Sequence, residues 1–296
     1  PEILRGELAA GQEGQRPSAG MTDPRRTPAN ARVAARRLRG AVDAPRYSDG
    51  VTRRVCVPVA DLLRAPEGAR DRQLLLGEGV TVYEDRDSWA FVEAARDGHV
   101  GYLPADALAE LPAPTHRVTA RATHLYPVPD FKVRETAALS HGSLLTVTAT
   151  RGRFAEISAG FVPAAHLSPV FETAADPMAV AETFLGTPYL WGGNSSFGID
   201  CSGLVQMACL TCGIACPGDS DMQAAELGSP LPDDAALGRG DLLFWAGHVA
   251  WVADARLLLH ANAFHMAVTH EPLQAAIARI AAQGDGPVTL RKRLRF

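Results

Sequence analysis

The most constraining stretch runs from Gly186 to Val205 and reads GTPYLWGGNSSFGIDCSGLV. A glycine-punctuated loop enters Asp200-Cys201-Ser202-Gly203, and helical spacing of apolar residues starts at once. A cysteine at that junction meets unpaired backbone N–H groups and the positive end of the helix dipole. That field favours thiolate over thiol, the usual origin of a reactive cysteine. A sulfur nucleophile needs a base, and the base needs an orienting group. Downstream, His248 heads the apolar run Val249 to Ala253. A turn at Asp254-Ala255-Arg256 follows, and the run Leu257-Leu258-Leu259 delivers His260. Hairpin pairing of the two runs brings both histidines together beside the cysteine helix.

The rest of the chain bounds the alternatives. At 296 residues it is too long for one small domain, so two or three units are expected. A net charge of −4 excludes the basic character of a nucleic-acid binder, and no apolar run reaches transmembrane length. The cysteines, Cys56, Cys201, Cys209, Cys212 and Cys216, are odd in number and unevenly clustered, unlike a disulfide framework. Reduced thiols fit a cytoplasmic location. Cys209 and Cys212 fall on the helix after Cys201, and with Cys216 they lack a fourth ligand nearby. They read as small buried hydrophobes, and no metal or cofactor is expected.

Residues 1–50 form an arm rich in Arg, Ala, Pro and Gly, within which Met21 is a candidate start. Ala31 to Leu38 reads as a short basic helix in a solvated, loosely packed arm. Its arginines are not followed by the apolar segment of an export signal, so an unexported protein is expected. Residues 51–111 and 115–171 then read as an internal repeat. Asp61-Leu62-Leu63-Arg64 is answered by His124-Leu125-Tyr126-Pro127, and Trp89-Ala90-Phe91-Val92 by Phe154-Ala155-Glu156-Ile157. Gly101-Tyr102-Leu103-Pro104 is answered by Gly160-Phe161-Val162-Pro163. Short alternating strands with Gly and Pro turns imply two small barrels, separated by Leu111-Pro112-Ala113-Pro114. The third unit, 176–296, opens with Asp176 capping a helix from Met178 to Leu185, with Pro177 at its first position. It ends in Val288 to Leu290 and a basic tail, read as a solvated edge strand.

The segments PYLWGG, DCSGLVQ, GRGDLLFW, GHVAWV and LLHA, in this order and spacing, resemble the NlpC-type cell-wall cysteine peptidases. The resemblance implies an α+β chain with a circularly permuted papain-like catalytic domain. The repeat ahead of it resembles two bacterial SH3-like domains. Carried over, Cys201 is the nucleophile, His248 the base and His260 the third, orienting residue, with Asn262 or His265 the next candidates for that place. Tyr189 is implied at the active site, and the Cys201 N–H is a natural oxyanion donor.

The family cleaves murein stem peptides, commonly between γ-D-glutamate and a diamino acid, diaminopimelate or lysine. Members with two SH3-like domains and no export signal act in the cytoplasm on peptides with a free N-terminal L-alanine, in peptidoglycan recycling or turnover. In these, residues matching Asp200 and Ser202 bind the ammonium, and an acid and a tyrosine of the first barrel complete the wall; Glu67 and Tyr102 are the candidates. One departure is visible: Cys216-Pro217-Gly218-Asp219 stands where relatives often carry Pro-Arg. Two other readings compete: an amidohydrolase or acyltransferase on the same triad, and a cell-wall-binding adaptor. The expected partner is therefore a murein peptide, with neither nucleic acid nor membrane.

Overall fold

The alternating residues of 51–109 build the first module in the computed structural model, which describes residues 23–294. Met21 and the tail residues Arg295 and Phe296 lie outside the described residues. Strands Arg70–Leu75, Val59–Leu63, Val100–Pro104, Trp89–Ala94, Gly79–Arg86, Val51–Val55 and Leu108–Ala109 follow one another, in that order, across a seven-stranded sheet. Leu62, Leu74, Val80, Val92 and Leu103 meet in its core. The hairpin joining Arg86 to Trp89 turns on Asp87 and Ser88, both at positive φ, 52° and 68°, as a tight primed turn requires.

The second module ends in the same way as the first. Gly160–Pro163, a 3₁₀ turn Ala164–His166 and Leu167–Pro169 parallel Val100–Pro104, Ala105–Ala107 and Leu108–Ala109. Its own core joins Val118, Leu139, Leu145, Ile157 and Val162.

The arm departs from expectation. No helix spans Ala31 to Leu38; instead Ala34–Ala35 pairs in parallel with Tyr47–Ser48, and Arg36–Leu38 is a 3₁₀ turn. Val33 and Ala35 are both buried against Tyr83 and Phe91. Residues two apart share a face in an extended chain but not in a helix, so burial decides the conformation. Nor is the arm loose: Arg32 pairs with Glu84 and Arg37 with Glu93, while Arg25 reaches Asp219 and Asp221 of the third module at 2.8 and 2.7 Å.

The third module has a central antiparallel sheet and helices on both faces, an α+β arrangement. Helix α1, Pro177–Glu182, starts where Asp176 accepts from the Met178 N–H at 2.8 Å. It is shorter than its apolar stripe suggested, because Thr183 to Leu185 continue in tighter turns bonded three residues back. Helix α2, Cys201–Thr211, is buried along almost its whole length, and α3 covers Ser220–Glu226. The sheet runs Ser229–Pro230, Leu290–Arg293, Asp241–Trp245, His248–Val252, Leu257–Asn262 and Ala267–Pro272. One face packs Leu242, Phe244 and Trp251 against Leu204 and Ala208 of α2. The other packs Leu243, Ala250 and Leu258 against Leu273 and Ile280 of helix α4, Leu273–Gln283. The basic tail is therefore not an edge strand: Leu290–Arg293 lies inside the sheet, with Lys292 buried and its Nζ donating to the Ala225 carbonyl. Among the described residues no helix is long and apolar enough to cross a membrane.

Candidate active site

Cys201 is the first residue of α2, and the motif around it is explained by packing. Asp200 caps the helix, its Oδ1 accepting from the Gly203 N–H at 2.6 Å and its Oδ2 from the Gly192 N–H at 3.0 Å. Gly203 is required because a Cβ there lies 2.3 Å from the Gly193 carbonyl oxygen. The first turn of α2 is thus pressed onto the loop that precedes it.

The histidines arrive from adjacent strands. Trp245 pairs with His248 across Ala246 and Gly247, the latter at a φ of 75°. His248 Nε2 lies 3.0 Å from His260 Nδ1, and His260 Nε2 lies 3.0 Å from Glu271 Oε2. Arg279 grips both Glu271 oxygens, at 2.9 and 2.7 Å. The hydrogen bonds from Arg279 hold the Glu271 carboxyl below its ordinary range, so it is an acceptor only. His260 must then carry its proton on Nε2 and offer a lone pair on Nδ1. His248 donates Nε2–H to that lone pair, which leaves its own Nδ1 unprotonated. This is the nitrogen a general base needs, and its tautomer is set three residues away from the sulfur. Neither Glu271 nor Arg279 stands among the sequence candidates; the run His270-Glu271-Pro272 is the signal the sequence offers.

Burial works against the thiolate expected of a helix start. Burial, and then the Asp200 carboxylate, push the Cys201 thiol up to about 12, against the opposing N–H groups of Val249 and Ser202 and the Arg72 guanidinium. Burial lowers His248 to about 3 and His260 to about 4. Desolvation opposes the dipole here and favours the neutral thiol and the neutral imidazole. The proton then moves during the reaction. In such an arrangement His248 Nδ1 can take it from the sulfur as the sulfur bonds to a carbonyl carbon, and can pass it to the leaving amine. Water, deprotonated by the same nitrogen, attacks the thioester; the carboxylic acid departs and the sulfur recovers its proton. At the first helical position the Cys201 N–H has no intrahelical acceptor and is free for the oxyanion.

The cleft above this group holds about 680 Å³ and is lined by Cys201, His248, Tyr189, Trp191, Asn262 and Phe264, among others. Tyr189 is half-buried there, its hydroxyl pushed up by burial and by the neighbouring sulfur. Trp191 and Phe264 are the exposed aromatics of the rim. Asp200 and Ser202 stand elsewhere. Both face Arg72, a residue of the first barrel, whose Nη1 lies 3.1 Å from Asp200 Oδ2 and whose Nη2 lies 2.9 Å from Ser202 Oγ. Arg72 also pairs with Asp219 and is buried. Its approach depends on Gly218, where a Cβ sits 3.0 Å from Arg72 Nε. Neighbouring residues dock the same strand: Arg70 Nη1 donates to the Trp191 carbonyl at 3.2 Å, and Gln73 Oε1 accepts from the Asn194 N–H at 3.2 Å. Glu67 occupies an exposed turn at a φ of 58°, and the Tyr102 hydroxyl meets Asn30 Nδ2 at 3.2 Å. Neither is among the residues lining the cleft.

Comparison with known proteins matches these modules. Residues 62–108 match the bacterial dipeptidyl-peptidase Sh3 domain, and residues 186–280 match the NlpC/P60 family. The gamma-D-glutamyl-L-lysine dipeptidyl-peptidase of Bacillus subtilis is 31% identical over 236 residues, which cover 70% of this chain and 77% of that protein. The chain belongs to the NlpC/P60 family. As a member it is a hydrolase of peptide bonds, and the adaptor reading falls away. A shorter match joins this NlpC/P60 chain to dipeptidyl-peptidase 6 of Lysinibacillus sphaericus, 40% identical over 84 residues, 28% of this chain and 30% of that protein. In fold it is similar to the crystal structure of an NlpC/P60 family protein from Bacillus cereus, with a TM-score of 0.69 at 21% identity over 82% of this chain and 99% of that one.

Proposed function

We propose that this NlpC/P60 peptidase hydrolyses the bond between γ-D-glutamate and a diamino acid in murein peptides that begin with L-alanine, in cytoplasmic peptidoglycan recycling or turnover. The observation carrying this reading is a cleft lined by Cys201 and His248, with His248 backed by His260 and Glu271 and the neighbouring loop braced by a strand of the first barrel. A long match to a relative named for γ-D-glutamyl-L-lysine cleavage supports the bond assignment. The cysteines, all free, suit a reducing compartment.

In this chain the peptide's own amine is not selected by Asp200 and Ser202 alone. Both already hold the Arg72 guanidinium, so a substrate ammonium reaches them only by displacing a buried cation. The test is mass-spectrometric assay of L-Ala-γ-D-Glu-diaminopimelate, with Cys201→Ala as the control. Release of L-Ala-D-Glu by the native enzyme alone is expected, and the N-acetylated peptide should be cleaved within about tenfold of the free one, a difference of about 1.4 kcal/mol. Intact peptide after prolonged incubation refutes the bond assignment, and a hundredfold preference for the free amine refutes the account of Arg72.

A further inference from the structure

Asn262 ends the strand Leu257–Asn262, two positions after His260, so both side chains leave the sheet on the same face. The residue is only 6% exposed, yet its Nδ2 has no hydrogen-bond partner. The other end of the amide is fixed. Asn262 Oδ1 accepts from the His265 N–H at 2.8 Å and lies 3.0 Å from His265 Nδ1. An amide held by its oxygen points its two N–H donors in one direction, and buried donors are rarely left unmatched in a folded protein.

The direction has chemical meaning. Asn262 lines the same cleft as Cys201 and His248. The register that pairs Trp251 with Leu259 and Val252 with Leu258 continues toward His248 opposite Asn262. His248 gives its proton to the leaving amine, so this wall faces the residue that departs. In an amino acid, a carboxyl oxygen sits three bonds from that nitrogen, within reach of a donor beside the histidine. Arg279 lies on the same wall, but its guanidinium is already held by both Glu271 oxygens, which leaves the Asn262 amide as a directed donor there.

We propose that Asn262 is a specificity-determining residue whose Nδ2 donates a hydrogen bond to the α-carboxyl oxygen of the amino acid released by hydrolysis. The proposal rests on the peptidase reading above and names the part of the substrate that this wall recognises. The test compares L-Ala-γ-D-Glu-L-Lys with its decarboxylated counterpart, L-Ala-γ-D-Glu-cadaverine, using the full-length chain and its Asn262→Ala and Asn262→Asp variants. The native enzyme is expected to favour the carboxylated peptide at least tenfold in kcat/KM. Asn262→Ala should bring that ratio close to one. Asn262→Asp keeps the acceptor for His265 but sets a carboxylate against a carboxylate, so it should invert the ratio; this variant carries the test if the alanine form does not fold. A native enzyme without preference, or variants that lose both substrates equally, overturns the proposal. Failure of the native enzyme on both substrates overturns instead the peptidase reading beneath it.

Discussion

Arg72 Nη1 lies 3.1 Å from Oδ2 of Asp200, so the residue preceding the nucleophile is neutralised by a side chain from another module. The pair is buried, and the same guanidinium reaches Ser202 and Asp219. Asp200 also caps α2, which makes the first barrel part of the support of the catalytic helix.

Removing Arg72 leaves a buried carboxylate beside a thiol. Breaking one side of a buried pair costs roughly 3–5 kcal/mol, whereas replacing both partners is far milder. Arg72→Ala should therefore destabilise the protein by about 3 kcal/mol in urea unfolding, and Arg72→Ala with Asp200→Asn should recover at least half. The single variant also exposes Asp200 to a substrate cation, so preference for the free over the N-acetylated peptide should increase. A stability loss that is merely additive in the double variant is the result that removes this pairing from the account.

The neutral resting pair has a pH signature. Both imidazoles sit below the ordinary histidine value because they are buried, so between pH 6.5 and their folded values the unfolded chain binds more protons. Their contribution to stability is complete above pH 6.5 and is lost as pH falls toward about 3 to 4. The melting temperature should fall steadily from pH 6.5 to 4.5. The acid limb of kcat/KM should lie below 6.5, since that limb reports groups of the free enzyme. Alkylation of Cys201 by iodoacetamide should keep accelerating from pH 6 to pH 9. A flat rate across that range marks a thiolate–imidazolium pair and contradicts the neutral state.

What the sequence shows of this site is its local part. Asp200 before an apolar helix, a histidine heading one apolar run and a histidine ending another are short-range signals; the structure places Cys201 and His248 at one cleft, with His260 buried behind His248. Arg72 is invisible at that level, because its role depends on how a barrel strand docks against the loop at Trp191 and Asn194. Glu271 is hidden by register: it pairs with Leu258 and meets His260 only on the diagonal, which alternation does not reveal. The arm misleads for a different reason. Its Ala and Arg content favours helix, but burying Val33 and Ala35 together requires an extended chain. The tail misleads through its charges, since Arg293 spends its charge on Asp241 at 2.7 Å while Lys292 turns inward.

Glu271 should matter through the tautomer it imposes. Glu271→Gln nearly preserves shape but lets an amide N–H face His260 Nε2, whose lone pair then accepts it. His260 carries its proton on Nδ1 in that case and confronts the Nε2–H of His248. His248 must respond by shifting its proton to Nδ1, the position from which it accepts the thiol proton. The base is lost although no group touching the substrate has changed. We expect kcat to fall about a hundredfold, about 2.7 kcal/mol, with KM nearly constant, because the loss is confined to proton transfer. Glu271→Asp, which remains an acceptor, should lose less. His248→Ala should abolish turnover, and His260→Ala should fall between that and Glu271→Asp. The check is steady-state kinetics on the γ-D-glutamyl peptide, with nitrogen-15 NMR of the two imidazoles to read the tautomers directly. If the glutamine variant retains native kcat while both rings keep their tautomers, Glu271 has no part in setting the base.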